Sequence, residues 1–232
     1  MKLGIIGAMT VEVELLKEKM QNIAVSQKAG MEFFDGVLEG LDCVVVQCGV
    51  GKVNAAMCVQ ILCDCFGATH IVNTGIAGSL CAELDIGDFV VSTDAIYHDF
   101  DVGALGYAVG QVPGLSTKAF PADKKLGECA FSAANEIHPG HARMGTVASG
   151  DQFISGKEQK QKIITDTGAL CTEMEGAAIA HTAWRNGVPF VILRAISDKA
   201  DDSAEMDYPT FEAMAANRCA SVTVKLAEML NK

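Results

Sequence analysis

The chain has 232 residues, 50% hydrophobic and 20% charged, with a formal net charge of −11 at pH 7. That balance suits one domain over residues 1–232 with a large core; it excludes a basic nucleic-acid surface and attraction to anionic lipid. No run reaches the roughly 18 apolar residues of a membrane span, and Glu12 and Glu14 interrupt the apolar start, so no signal peptide is expected.

In chain order, KLGIIGA reads as a short buried strand, and residues 10–21 follow as a helix, with Val11, Leu15, Leu16 and Met20 at helical spacing. MEFFDGVLEGLDCVVVQCG predicts two strands around a turn at 39–42, KVNAAMCVQILCDCF a helix that stops at Gly67, and THIVNTG a buried strand. Residues 75–121 are loop-rich around the strand DFVVST; residues 122–137 are helical, ARMGTVASG is a strand and 157–166 a helix. GALCTEM is a strand, EGAAIAHTAWRN a helix, PFVILRAISD a strand, and residues 209–231 the closing helix. The alternation predicts an α/β fold with a central sheet covered by helices on both faces. Ligands of such sheets sit beyond the carboxyl ends of the strands. Those ends bring acids to one rim: Glu12, Asp151, the pair Glu173 and Glu175, and Asp198.

Several motifs fail. GIIGAM lacks the third glycine of a dinucleotide loop, and CGVGKVN has valines at 46 and 53 where a phosphate loop needs glycine and a hydroxyl. The run YHDFD offers His98, Asp99 and Asp101 without further ligands at supporting spacing, and His138 and His141 flank a turn as solvated side chains. The nine cysteines are odd in number, lie in apolar runs and form no CxxC pair. They read as reduced, buried thiols in a cytoplasmic protein. No metal and no cofactor is expected.

TEMEGAAIAH and RAISDKAD, with GIIGAMTVEVELL, GVGKVNAA, VNTGIAGS, YHDFDVGALGYAVGQVPG and SGDQFISG, resemble the 5′-methylthioadenosine/S-adenosylhomocysteine nucleosidases of the purine nucleoside and uridine phosphorylase superfamily. The resemblance covers nearly the whole chain. It implies a three-layer α/β/α sandwich with a central mixed sheet, nucleoside phosphorylase-like, that cleaves the bond between adenine and ribose. On matching positions, Asp198 would protonate the adenine ring and Glu12 would activate the attacking water. Met174 and Glu175 would hold the ribose, Gly78 and Ile154 would meet the ligand through backbone, and Phe153 would stack on the base. Met9, Val50 and Tyr208 would line an apolar pocket for the 5′ tail. Val102, Tyr107 and Pro113 would reach a neighbouring subunit's pocket, which implies a homodimer. Glu173, Arg194 and Ser197 would stand behind the site. The family often has serine where this chain has Ile76, which leaves the support of Asp198 to other groups.

The chemistry calls for these residue types. Adenine leaves readily only once protonated, and the sugar then takes on oxocarbenium character. Glycosidases divide such work between an acid and a base on opposite faces of the ring. A free aspartate titrates at about 3.9, so an aspartic acid that donates near neutrality needs burial or nearby acids. Taken singly, Glu12 also reads as a solvated first-turn glutamate, and Asp198 as an N-cap or an ion-pair partner of Lys199 or Arg194. A phosphorylase of the same fold, a 6-amino-6-deoxyfutalosine hydrolase and a non-catalytic nucleoside binder are the alternatives. Against phosphate, the first strand-to-helix turn carries no Lys or Arg before Lys17 and presents Glu12 instead.

Overall fold

The computed structural model describes all 232 residues. Ten strands form one mixed sheet: β1 (Leu3–Gly7), β2 (Gln21–Lys28), β3 (Met31–Leu38), β4 (Leu41–Gln47), β5 (His70–Ser79), β6 (Phe89–Tyr97), β7 (Phe120–Pro121), β8 (Ala142–Ser149), β9 (Cys171–Glu173) and β10 (Phe190–Asp198). The helices are α1 (Thr10–Lys19), α2 (Lys52–Phe66), α3 (Lys124–Ile137), α4 (Lys157–Thr167), α5 (Gly176–Arg185) and α6 (Ala204–Leu230).

Side chains alternate across the strands and build a core on each face. Leu3 and Ile5 of β1, Val45 of β4 and Val191 and Leu193 of β10 pack with Val13 and Leu16 of α1, Ala130 of α3 and Ala220 of α6. Ile6, Val44, Val46 and Ile192 pack on the other face with Cys58, Val59 and Leu62 of α2 and Ala180 and Ala183 of α5. This is the three-layer α/β/α arrangement that the sequence implies. α2 buries Ala55, Cys58, Val59 and Leu62, one helical stripe. It ends where Gly67 turns left-handed at φ 65°.

β5 organises the sheet. Its first half pairs in parallel with β1, its last residues pair with β9, and β10 runs parallel along its other edge. Because β10 continues to β6, β8 and β9, these strands close into a ring on β5, with β1, β4, β3 and β2 as an open wing. Closure gathers the carboxyl ends of β1, β5, β9 and β10 at one rim.

Elements that differ from the sequence expectation include β2, β7, β9 and α6. β2 is a strand where the sequence gives no element; all eight of its residues are exposed, so burial imposes no alternation on it. It joins β3 through Ala29 (φ 50°) and Gly30 (φ 79°), a turn with both central residues left-handed. α6 begins five residues before Pro209 rather than at it, and the added turn carries Tyr208. β9 is only three residues long, and the chain leaves extended geometry at Glu175 (φ −130°, ψ −38°).

Candidate active site

One cleft, about 630 Å³ measured to its open mouth, lies at that rim. Its wall includes Ala8 and Met9 after β1, Glu12 of α1, Val50 after β4, Ile76 to Gly78 of β5, Gln152 to Ile154 after β8, Thr172 to Glu175, Ser197 and Asp198 of β10, and Tyr208 of α6.

Glu12 is 3% exposed, not solvated. Its Oε2 accepts from Ala8 N (2.6 Å) and Met9 N (2.9 Å), closing the first turn of α1 as a capping-box glutamate does. Its Oε1 accepts from Ile76 N at 3.1 Å. Burial pushes the Glu12 carboxyl up; Arg194 and these three N–H groups oppose the rise.

Asp198 sits just past a register shift between β10 and β5, opposite Gly78. A Cβ on Gly78 would lie 2.8 Å from both Asp198 Oδ1 and Ala200 Cβ, so glycine leaves room for the acid. Ala200 N donates to Asp198 Oδ1 and Ser197 Oγ to Oδ2, each at 2.8 Å. Those donors do the work that Ile76 cannot. Asp198 neither caps a helix nor meets Lys199, which pairs with Asp85 at 3.0 Å. Burial raises the Asp198 carboxyl, Ala200 N–H and Ser197 O–H pull it down, and Asp207 and Asp201 add to the rise.

Glu175 Oε1 accepts from Gly51 N at 2.8 Å at the start of α2. Burial, then the charge of Glu173, lifts its carboxyl to about 8 against Arg194 and the Gly51 N–H. Glu173 Oε2 accepts from Gly176 N (2.8 Å) and Glu175 N (3.1 Å) at the first turn of α5, and from Arg194; Oε1 takes the Ser149 hydroxyl. Arg194 is 1% exposed, on the α2/α5 face of β10, and donates to Asn73 Oδ1 at 2.5 Å.

The sequence profile of the Phosphorylase superfamily matches residues 2–228. A curated 5′-methylthioadenosine/S-adenosylhomocysteine nucleosidase from Geobacillus kaustophilus is 39% identical over 233 aligned residues, covering 100% of this chain and 99% of the relative. The chain belongs to this nucleosidase family. The crystal structure of the Neisseria meningitidis nucleosidase in complex with methylthio-immucillin-A superposes with a TM-score of 0.94 at 37% identity, covering 98% of each chain. A futalosine hydrolase of Helicobacter pylori superposes with a TM-score of 0.92 at 32% identity, covering 97% of this chain and 96% of its own.

In this member of the family the cleft brings together Glu12 and Asp198 with Met9, Val50, Gly78, Phe153, Ile154, Met174, Glu175 and Tyr208. Glu173 and Ser197 also reach its wall rather than standing wholly behind it, whereas Arg194 stays behind. Phe153 and Tyr208 meet edge to face across the cleft, ring centroids 5.4 Å apart. Val102, Tyr107 and Pro113 lie outside the chain's own cleft. Asp151 is likewise absent from its wall; Oδ1 instead accepts from Lys52 N at 2.9 Å.

Sequence reasoning missed Asn73, Ser149, Gly51 and Thr172. An asparagine inside the apolar run HIVNTG was a visible signal for the first. The hydroxyl of Thr172 lies in the cleft wall with no protein partner. His141 is exposed and His138 half-buried, as expected of turn side chains; His141 Nδ1 also meets Asp88 Oδ1 at 2.7 Å and the two rings stack 3.6 Å apart, 7° from parallel.

Proposed function

We propose that the chain hydrolyses the N-glycosidic bond of 5′-methylthioadenosine and S-adenosylhomocysteine, releasing adenine and the 5′-substituted ribose. The observation that carries the reading is the convergence of Glu12, Glu175 and Asp198 on one cleft whose wall holds no Lys, Arg or His. Asp198, whose carboxyl pKa is raised by burial, gives a proton to the adenine ring as the bond breaks. Gly78 and Ile154 border the base through backbone and Phe153 lies over it. Glu175, fixed by Gly51 N–H, accepts from the ribose hydroxyls beside Met174. Glu12, held on three N–H groups, takes a proton from water on the opposite face. Met9, Val50 and Tyr208 enclose the 5′ tail.

Water rather than phosphate fits this cleft. A phosphate dianion recruits arginine or a nest of N–H groups, and the single buried cation nearby, Arg194, is committed to Glu173 and Asn73. Val102, Tyr107 and Pro113 complete the cleft of a second copy in a homodimer. Nine free cysteines fit a reducing compartment such as the cytoplasm, and no helix is long and apolar enough to cross a membrane.

Adenine release from 5′-methylthioadenosine in phosphate-free buffer tests the reading; a requirement for phosphate, with ribose-1-phosphate as product, rejects it. Asp198→Asn and Glu12→Gln are expected to lose turnover while retaining ligand binding. Parallel assays with S-adenosylhomocysteine, 5′-deoxyadenosine and 6-amino-6-deoxyfutalosine rank the 5′ tails.

A further inference from the structure

The turn that follows Asp198 is held from outside the cleft. Ala200 is fully buried and has φ of 50°, a left-handed conformation that alanine adopts only under constraint. That conformation aims its N–H back at Asp198 Oδ1, 2.8 Å away. The carbonyl of the same peptide unit, Lys199 O, points the other way and accepts from Lys160 Nζ of α4 at 2.6 Å. The Lys160 side chain is only 19% exposed, and its second neighbour, Asp201 Oδ2, is farther at 3.7 Å. One ammonium, one peptide and one carboxyl thus lie in series.

We propose that Lys160 is a positioning residue for the proposed acid Asp198, acting through the Lys199–Ala200 peptide. The ammonium fixes the carbonyl and polarises the peptide, so the N–H at its other end donates more strongly to Asp198. It thereby holds the carboxyl plane. The inference rests on the nucleosidase reading for its kinetic consequence but not for its geometry. Other groups face Asp198 too: Ser197 donates to it, Asp201 and Asp207 repel its charge, and Tyr208 shares the cleft. Lys157, one turn earlier on α4, pairs with Asp202 at 2.8 Å, with both side chains largely exposed, and touches neither Lys199 nor Ala200. It separates the peptide contact from general tethering of the segment.

The test uses the full chain as wild type, Lys160→Met, Lys160→Arg and Lys157→Met. Two quantities are read. One is the titration midpoint of Asp198 by carbon-13 NMR of carboxyl-labelled aspartate, assigned with Asp198→Asn. The other is the kcat and KM of adenine release from 5′-methylthioadenosine. In Lys160→Met the midpoint is expected to rise by about half a pH unit or more, and kcat to fall about tenfold with KM within about twofold. Lys160→Arg restores both, and Lys157→Met matches the wild type. An unchanged midpoint in Lys160→Met, or equal effects from Lys157→Met, overturns the proposal. If the wild type releases no adenine, the nucleosidase reading fails, and the NMR midpoints still decide whether Lys160 acts on Asp198.

Discussion

Arg194 Nη2 stands 3.8 Å from Glu175 Oε2 while the same nitrogen pairs directly with Glu173. With Glu12 also influenced by its charge, one buried cation serves three buried acids. Removing it leaves Glu173, its direct partner, without a counter-charge in a medium that solvates it poorly. Arg194→Met is therefore expected to lose about 3–5 kcal/mol of stability, the range for breaking a buried ion pair from one side. Urea denaturation near neutral pH measures it. A loss under about 1 kcal/mol would mean that the acids shed their charge without the guanidinium.

The same crowding sets a pH dependence. Glu175 has a folded value of about 8, above its ordinary 4.5. Between those values the folded chain holds a proton that the unfolded chain releases, so this group's contribution to stability is full below about pH 4.5 and is lost as pH rises toward 8. Glu175→Gln cannot titrate and is expected to flatten the decline, whose limit is about 1.4 kcal/mol per pH unit for one proton. Denaturation midpoints across this window check it; an equally steep decline in the variant assigns the titration to another acid, with Glu12 the next candidate.

Much of this was legible beforehand, for reasons that differ by element. α2 announces itself by an apolar stripe and a terminal glycine, and β5 and β10 by apolar runs bounded by turns, because burial selects those residues. β2 carries no such mark: exposed throughout and joined by Ala29-Gly30 rather than an Asn-Gly turn, it is a strand because β3 pairs with it. The acids of the cleft stand at strand ends, where fold class alone directs attention. Their supports do not. Gly51 N–H, Ile76 N–H and Ala200 N–H are backbone groups that any side chain would supply, so only the folded path assigns them to Glu175, Glu12 and Asp198.

Gly75 has an ordinary backbone conformation and is glycine for space. A Cβ there would overlap Arg194 Nη1 and Glu12 Oε1. Neither can withdraw freely, since Glu12 is tied to three N–H groups and Arg194 to Glu173 and Asn73. Gly75→Ala is expected to cost about 1–3 kcal/mol, the usual range for overpacking, and to reduce kcat about a hundredfold by displacing Glu12. Thermal unfolding and adenine release measure the two effects. Full activity in a folded variant would show that water activation tolerates movement of Glu12.

The segment from Val102 to Pro113 presents apolar surface that the chain itself leaves uncovered. Leu105 is 71% exposed and Tyr107 36%, around a short 3₁₀ turn at Gly103–Leu105. Contiguous apolar side chains on a glycine-rich loop signal a contact surface. A second copy is the expected occupant, with Val102, Tyr107 and Pro113 at the mouth of its cleft. Sedimentation at micromolar protein is expected to give a dimer mass, and Tyr107→Asp, which places a charge in the contact, to shift the mass toward monomer. Because the partner's loop would close the tail end of the cleft, the same variant should raise KM for 5′-methylthioadenosine about tenfold or more, the loss expected for an aromatic anchor at an interface. A monomeric wild type with full activity would refute the shared cleft, and a dimer unaffected by Tyr107→Asp would place the contact on another face.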